Sequence, residues 1–209
     1  ASSHFCTAER QYRTPLEYGG QRTPTAQWTV TGAGAAVLEK RQFPPYITHI
    51  TTGKVIDFGV TDPNNMGGAM APAAIDTLKA HFRDTKRSPK NYDLILTGDL
   101  GKVGREIVID MMTAGGFDME QNYNDTGCMI YDFETQDVHA GGSGCGCVAV
   151  TLCGYVFEMM KKGELNDVLI LGTGALLSPT SSLQGESVPG IAHAISLSTT
   201  PGGGKNGLY

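Results

Sequence analysis

The run His139-Ala140-Gly141-Gly142-Ser143-Gly144 carries the most promising chemistry in the chain. Glycines ahead of a helix leave backbone N–H groups open to carboxylates and developing oxyanions. A histidine beside them can move a proton or simply hold a hydrogen bond. On residue types alone such a cluster is more often structural than catalytic, so its claim rests on its neighbours.

A second candidate is Thr97-Gly98-Asp99-Leu100-Gly101-Lys102, where a strand runs into a helix at the carboxyl edge of a sheet. Small ligands favour that edge. A phosphate loop is excluded, because Val103 stands where Ser or Thr would be needed. Asp99 reads equally well as a helix cap and as a ligand contact. Lys102 reads equally well as a solvated helix-face lysine and as a charge-assisted partner for an anion. Gly32-Ala33-Gly34-Ala35-Ala36-Val37 superficially matches a dinucleotide fingerprint, but its glycines lie inside a strand pattern rather than between strand and helix. Small residues allowing close packing are the better reading.

Five cysteines, an odd number without framework spacing, argue for free thiols in a reducing compartment. Cys145, Cys147 and Cys153 fall in one helical segment, without the paired CxxC pattern of a zinc site.

The elements that must position these residues follow from pattern. Residues 1–27 read as a long loop on a short strand, and Trp28 to Lys40 as a buried strand broken by Pro44-Pro45. Thr51 to Val60 reads as a second strand, ending at the turn Asp62-Pro63-Asn64-Asn65, which also supplies helix caps. Met70, Ala73, Ala74, Leu78 and Phe82 at helical spacing predict a helix over about 67–86. A strand at 92–96, a helix over 102–113 stopped by Gly115-Gly116, and a looped stretch at 118–138 with a short strand near 129–131 come next. The glycine run then opens an apolar helix over 143–162, closed by Gly163. Strands at 168–171 and 190–198 follow, and the tail PGGGKNGLY reads as frayed. Alternation of strands and helices implies a layered α/β protein with a mixed sheet.

With 209 residues, 40% hydrophobic and 18% charged, the chain is of globular rather than disordered composition. The formal charge of −5 and the lack of a basic stripe argue against nucleic acid. No apolar run approaches the ~20 residues of a membrane-spanning helix. Ala1 is not a start methionine and the opening lacks a signal-peptide pattern, which predicts a fragment or a processed chain.

Several long motifs carry a resemblance: SSHFCTAERQ (2–11), GQRTPTAQWTVTGAGAAVL (20–38), DPNNMGGAMAPAA (62–74), TGDLGKVG (97–104) and HAGGSGCG (139–146). Together they resemble the stage V sporulation protein AD family, over about Ser2 to Ser198, within the thiolase and ketoacyl synthase superfamily. The resemblance implies a thiolase-like α/β fold, a layered mixed sheet with flanking helices. Residues 1–60 would end the N-terminal half with connecting strands, and residues 61–209 would form the C-terminal half. It also implies a function, binding of dipicolinic acid (pyridine-2,6-dicarboxylate) for its uptake into the developing spore. The partners implied are other stage V sporulation membrane proteins and a homodimer, with a cytoplasmic or peripheral place on the spore inner membrane. No cofactor is implied, calcium being at most a companion of the ligand. The ligand-binding residues expected are His139, Gly141, Gly142, Ser143, Asp99, Lys102 and His4.

Two departures set the chain apart from the enzymes of the superfamily. Thr97-Gly98-Asp99 stands where condensing enzymes place a catalytic histidine, and Ile170-Leu171-Gly172 where thiolases carry a second cysteine. A non-catalytic binder is therefore the leading expectation. The alternatives are an acyl-CoA-condensing enzyme whose nucleophile lies outside this sequence, and a scaffold without a ligand.

Overall fold

The computed structural model describes residues 1–5, 23–40 and 43–202. Most of the loop expected at 1–27, and most of the tail expected to fray, lie outside the described residues.

Three short strands come first: β1 (Ser2–Ser3), β2 (Trp28–Thr29) and β3 (Gly32–Ala33). β1 pairs antiparallel with β3. The long buried strand expected over 28–40 does not form. Gly34 lies so close to the Ala149 carbonyl that a Cβ would overlap it, so past the two short strands the run packs against helix backbone at Ala149 rather than extending a sheet. Beyond it Val37 and Leu38 are 89% and 80% exposed. The close-packing role expected of these glycines is what the structure shows.

β4 (Tyr46–Thr51) is the next strand, earlier than the one expected at 51–60. Past Thr51 the ladder stops, because the Gly53 N–H donates to the His193 Nδ1 side-chain atom at 3.0 Å. Only the isolated bridge Ile56–Gly190 continues the pairing. Helix α1 (Met66–Thr85) matches expectation closely. Asn65 caps it, its Oδ1 accepting the Gly68 N–H at 3.1 Å, and all five periodic residues from Met70 to Phe82 are buried.

β5 (Leu94–Thr97) leads into α2 (Gly101–Ala114), which ends at Gly115 as expected. The looped stretch then contains β6 (Tyr123–Asp125) and the short α3 (Thr126–Met129), with no strand at 129–131. The Asp125 carboxylate accepts the Gly127 N–H at 2.9 Å and turns the chain into helix as soon as β6 ends. β7 (Gly142–Ser143) runs parallel to β2. The long helix follows as α4 (Cys145–Val150), a π-helical stretch (Thr151–Val156) and α5 (Phe157–Lys162), with Gly163 in the left-handed conformation at its end. β8 (Asp167–Ala175), the short α6 (Pro179–Leu183) and β9 (Gly190–Ser198) complete the order.

The main sheet is five-stranded, in the order β4-β9-β8-β5-β6. β6, β5 and β8 run parallel, and β9 is antiparallel to both β8 and β4. Both faces are covered, and the strand sequences say why. In β8, Leu169 and Leu171 face α1 and α2 with Ile95, Leu78 and Val108, whereas Val168 and Ile170 face the long helix with Val156 and Met160. Alternate side chains leave a strand on opposite faces, so a strand buried on both sides reads as a continuous apolar run. The layered mixed α/β sheet with flanking helices is thus as expected.

Candidate functional site

Two loops meet at the carboxyl ends of β5 and β8. The first, residues 97–101, carries Asp99. Its Oδ1 accepts the Thr173 hydroxyl at 2.6 Å, and its Oδ2 accepts the Gly144 N–H at 3.2 Å. Asp99 therefore joins the β5 loop, the end of β8 and the residue that caps α4. Gln27 reinforces the junction, donating from Nε2 to the carbonyls of Asp99 and Gly142 at 2.9 and 3.2 Å. Of the two roles open to Asp99, the cap of α2 is not found, since its side chain braces the start of the other helix; as a lining residue it is placed for the other, a ligand contact.

Beside this junction lies a cavity of about 390 Å³, within the usual size range of small-molecule sites. Met66, Met70, Val148 and Leu177 form its apolar wall. Ser3, Thr29, Asp99, Ser143, Cys145 and Thr173 supply polar groups. Asp99 is the one acidic or basic side chain among the described lining residues.

Below the cavity, Asp125 is buried at the end of β6. It accepts four hydrogen bonds: Thr97 Oγ1 at 2.6 Å and the Leu100 N–H at 3.0 Å on Oδ2, the Gly101 N–H at 2.8 Å and the Gly127 N–H at 2.9 Å on Oδ1. Burial pushes its carboxyl up to about 7, with Asp99 adding to the rise, against the pull of the bonds from Thr97, Gly101 and Leu100. Burial likewise raises Cys128 and Cys147 to about 12, so both are inert thiols. Among the described residues no three His, Cys, Asp or Glu are grouped to hold a metal.

The family model for stage V sporulation protein AD matches residues 1–198. The chain belongs to the stage V sporulation protein AD family. The protein of that name from Bacillus subtilis (strain 168) is 51% identical over 194 residues, 93% of this chain. The chain spans 57% of that relative's length. Among solved structures, 3-oxoacyl-[acyl-carrier-protein] synthase III from Aquifex aeolicus VF5 is similar over 61% of this chain and 37% of its own, with 18% identity and a TM-score of 0.36. A likeness that partial assigns no residue a role.

In this member of the stage V sporulation protein AD family, the structure brings together part of the expected residue set. Asp99 and Ser143 line the cavity, next to Gly144 and Cys145. Gly142 and Ser143 form β7 instead of a helix start, so the open N–H at the head of the long helix belongs to Gly144, and Asp99 takes it. His139 is held away from the lining: its Nδ1–H donates to the Thr23 carbonyl at 2.7 Å, and its Nε2 lies 3.1 Å from an Asp137 carboxylate oxygen. Its φ of 47° is left-handed, a conformation favoured only where a tight turn demands it. Gly141 supports the turn through its carbonyl, which accepts the Trp28 N–H at 2.8 Å. Lys102 and His4 are exposed and are not lining residues, which favours the solvated reading of Lys102. Sequence reasoning missed Asp125, and Thr173 was not among the residues expected to bind a ligand. Locally Asp125 reads only as a cap for Gly127, because its other three donors come from residues that are distant in sequence.

Proposed function

We propose that this family member is a non-catalytic, thiolase-type protein that binds dipicolinate in the cavity beside Asp99, serving its uptake into the developing spore alongside membrane partners. The carrying observation is the lining itself. Apolar Met66, Met70, Val148 and Leu177 suit a flat aromatic ring, while the hydroxyl-bearing Thr29 and Ser143 give the lining a polar side for its carboxylates to face. Asp99 is committed to structure, each of its oxygens accepting a hydrogen bond from Gly144 or Thr173. At the other position where the superfamily's enzymes move protons, Ile170 and Leu171 are buried aliphatic side chains of β8.

Charge then selects the form of the ligand. A bare dianion beside Asp99 would be repelled, since like charges disfavour one another's ionised form. Calcium accompanying the ligand removes the conflict, held by the ligand's own carboxylate oxygens. Membrane association proceeds through a partner or a surface contact, no helix of the described residues being long and apolar enough to cross a bilayer.

The test is calorimetric titration of dipicolinate into the full-length protein, with and without calcium. Gly174 lines the cavity, and a Cβ there meets only Ile191 at 3.8 Å, so Gly174→Trp adds bulk at the lining with little crowding of the core. We expect saturable binding that Gly174→Trp weakens tenfold or more and His139→Ala leaves within about twofold. Unchanged affinity in Gly174→Trp removes the ligand from this cavity. Turnover of an acyl-CoA by the full-length protein replaces the binder with the condensing enzyme.

A further inference from the structure

We propose that Asp125 is a positioning residue for this cavity, its buried carboxylate fixing the 97–101 loop and, through Asp99, the wall that meets the ligand. The affinity part of this inference rests on the binding reading above, whereas the positioning part does not.

The argument starts from which carboxylate caps which helix. Asp99 lies two residues before Gly101, close to where a capping side chain for α2 ordinarily sits. Yet the N–H groups of Leu100 and Gly101 are taken by Asp125, which comes from β6 on the neighbouring strand. A remote carboxylate does the local one's task, and Asp99 is left facing the cavity, where it reaches Thr173 and Gly144. The loop is held at both ends: Thr97 on one side of Asp99 and Leu100 and Gly101 on the other all bond to Asp125. The path from Asp125 to Gly144 thus runs through hydrogen bonds to Leu100 and Gly101, along the backbone to Asp99, and across the Asp99 bond to Gly144 at the head of the long helix. Asp125 is fully buried and is not among the lining residues. It does not meet a ligand itself and acts through the loop that carries Asp99.

Position and bulk stability can be told apart. Asp125→Asn keeps the shape, but its amide N–H₂ faces two of the four donors and cannot accept from them. Thr97→Val is the milder variant, removing one donor while preserving volume, and Thr97→Ser restores the hydroxyl. His81→Gln lowers stability from a buried network elsewhere and serves as the comparison.

The readouts are amide hydrogen exchange at residues 98–101 and 144, and dipicolinate affinity, both in the full-length protein. We expect Asp125→Asn and Thr97→Val to speed exchange at Leu100, Gly101 and Gly144 by tenfold or more. His81→Gln, studied at a temperature where its global stability matches, leaves those amides protected, and Thr97→Ser behaves as wild type. The dissociation constant for dipicolinate rises tenfold or more in Asp125→Asn. If Asp125→Asn does not fold, the Thr97 pair decides. Loosening of the same amides by His81→Gln overturns the proposal, as does unchanged affinity once the loop has loosened. A wild type that ignores dipicolinate, with the exchange pattern present, removes the ligand reading and leaves the positioning role standing.

Discussion

His81 lies buried between α1 and the sheet, its Nδ1 2.7 Å from Thr51 Oγ1 and its Nε2 2.7 Å from the Tyr92 hydroxyl and 3.2 Å from Ser196 Oγ. Burial first, then His49 and Arg87, lowers its pKa from 6.5 to about 4. The folded chain therefore keeps this imidazole neutral at pH values where the unfolded chain protonates it. The sign follows: the contribution is whole above pH 6.5 and is lost as pH falls through the window from 6.5 to about 4. At about 1.36 kcal/mol per pH unit, a drop from pH 7.5 to 4.5 removes about 2.5 kcal/mol. Asp125 works in the opposite direction, since its raised carboxyl stabilises at low pH and that stability is lost as pH climbs from 3.8 through about 7. A direct stability profile mixes the two. Subtracting His81→Gln from wild type at each pH cancels Asp125, which both chains share. Guanidinium unfolding followed by circular dichroism at pH 7.5, 5.5 and 4.5 should show the difference shrinking by about 2–3 kcal/mol toward acid. A difference that stays constant with pH refutes the idea that His81 is held neutral by burial.

Two further outcomes are expected from thermal or denaturant unfolding. Asn65→Ala removes the cap of α1 and should cost about 1 kcal/mol, with no change in the denaturant slope. Gly101→Ala should cost about 2–4 kcal/mol, because φ there is +63° and a Cβ would overlap the Ala140 carbonyl and crowd Gln27. A loss below 1 kcal/mol would mean that the turn relaxes freely.

Local pattern sufficed where the determinant is local. β9 falls at 190–198 as expected, and α1 is within a residue of its expected span, because α1's apolar periodicity and its Asn65 cap lie within the segment itself. The strand readings at 28–40 and 51–60 failed for the complementary reason. A long strand needs a long partner: Trp28–Thr29 and Gly32–Ala33 find only two-residue ones before Gly34 meets a helix, while Gly53 meets a histidine side chain. β6 was missed because three residues suffice when Thr97, Leu96 and Ile95 lie alongside to pair with them.

The candidate site divides along the same line. Asp99 and Ser143 were legible because glycine-rich turns mark where strands end and helices begin, and such ends gather at one edge of a parallel sheet. His139 belongs to the same turn, but its ring faces Thr23 and Asp137 rather than the cavity, and sequence spacing carries no information on which way a side chain leaves a turn. Asp125 is the extreme case. In the sequence it is one acidic residue in Asn124-Asp125-Thr126, a context that suits a turn or a helix cap. It does cap α3 through Gly127, as that local context allows. Its reach to Thr97, Leu100 and Gly101 exists only because β6 aligns with β5 in the register Thr97–Asp125. That register sets the carboxylate beneath the loop, so a cap for one short helix also fixes the wall of the cavity.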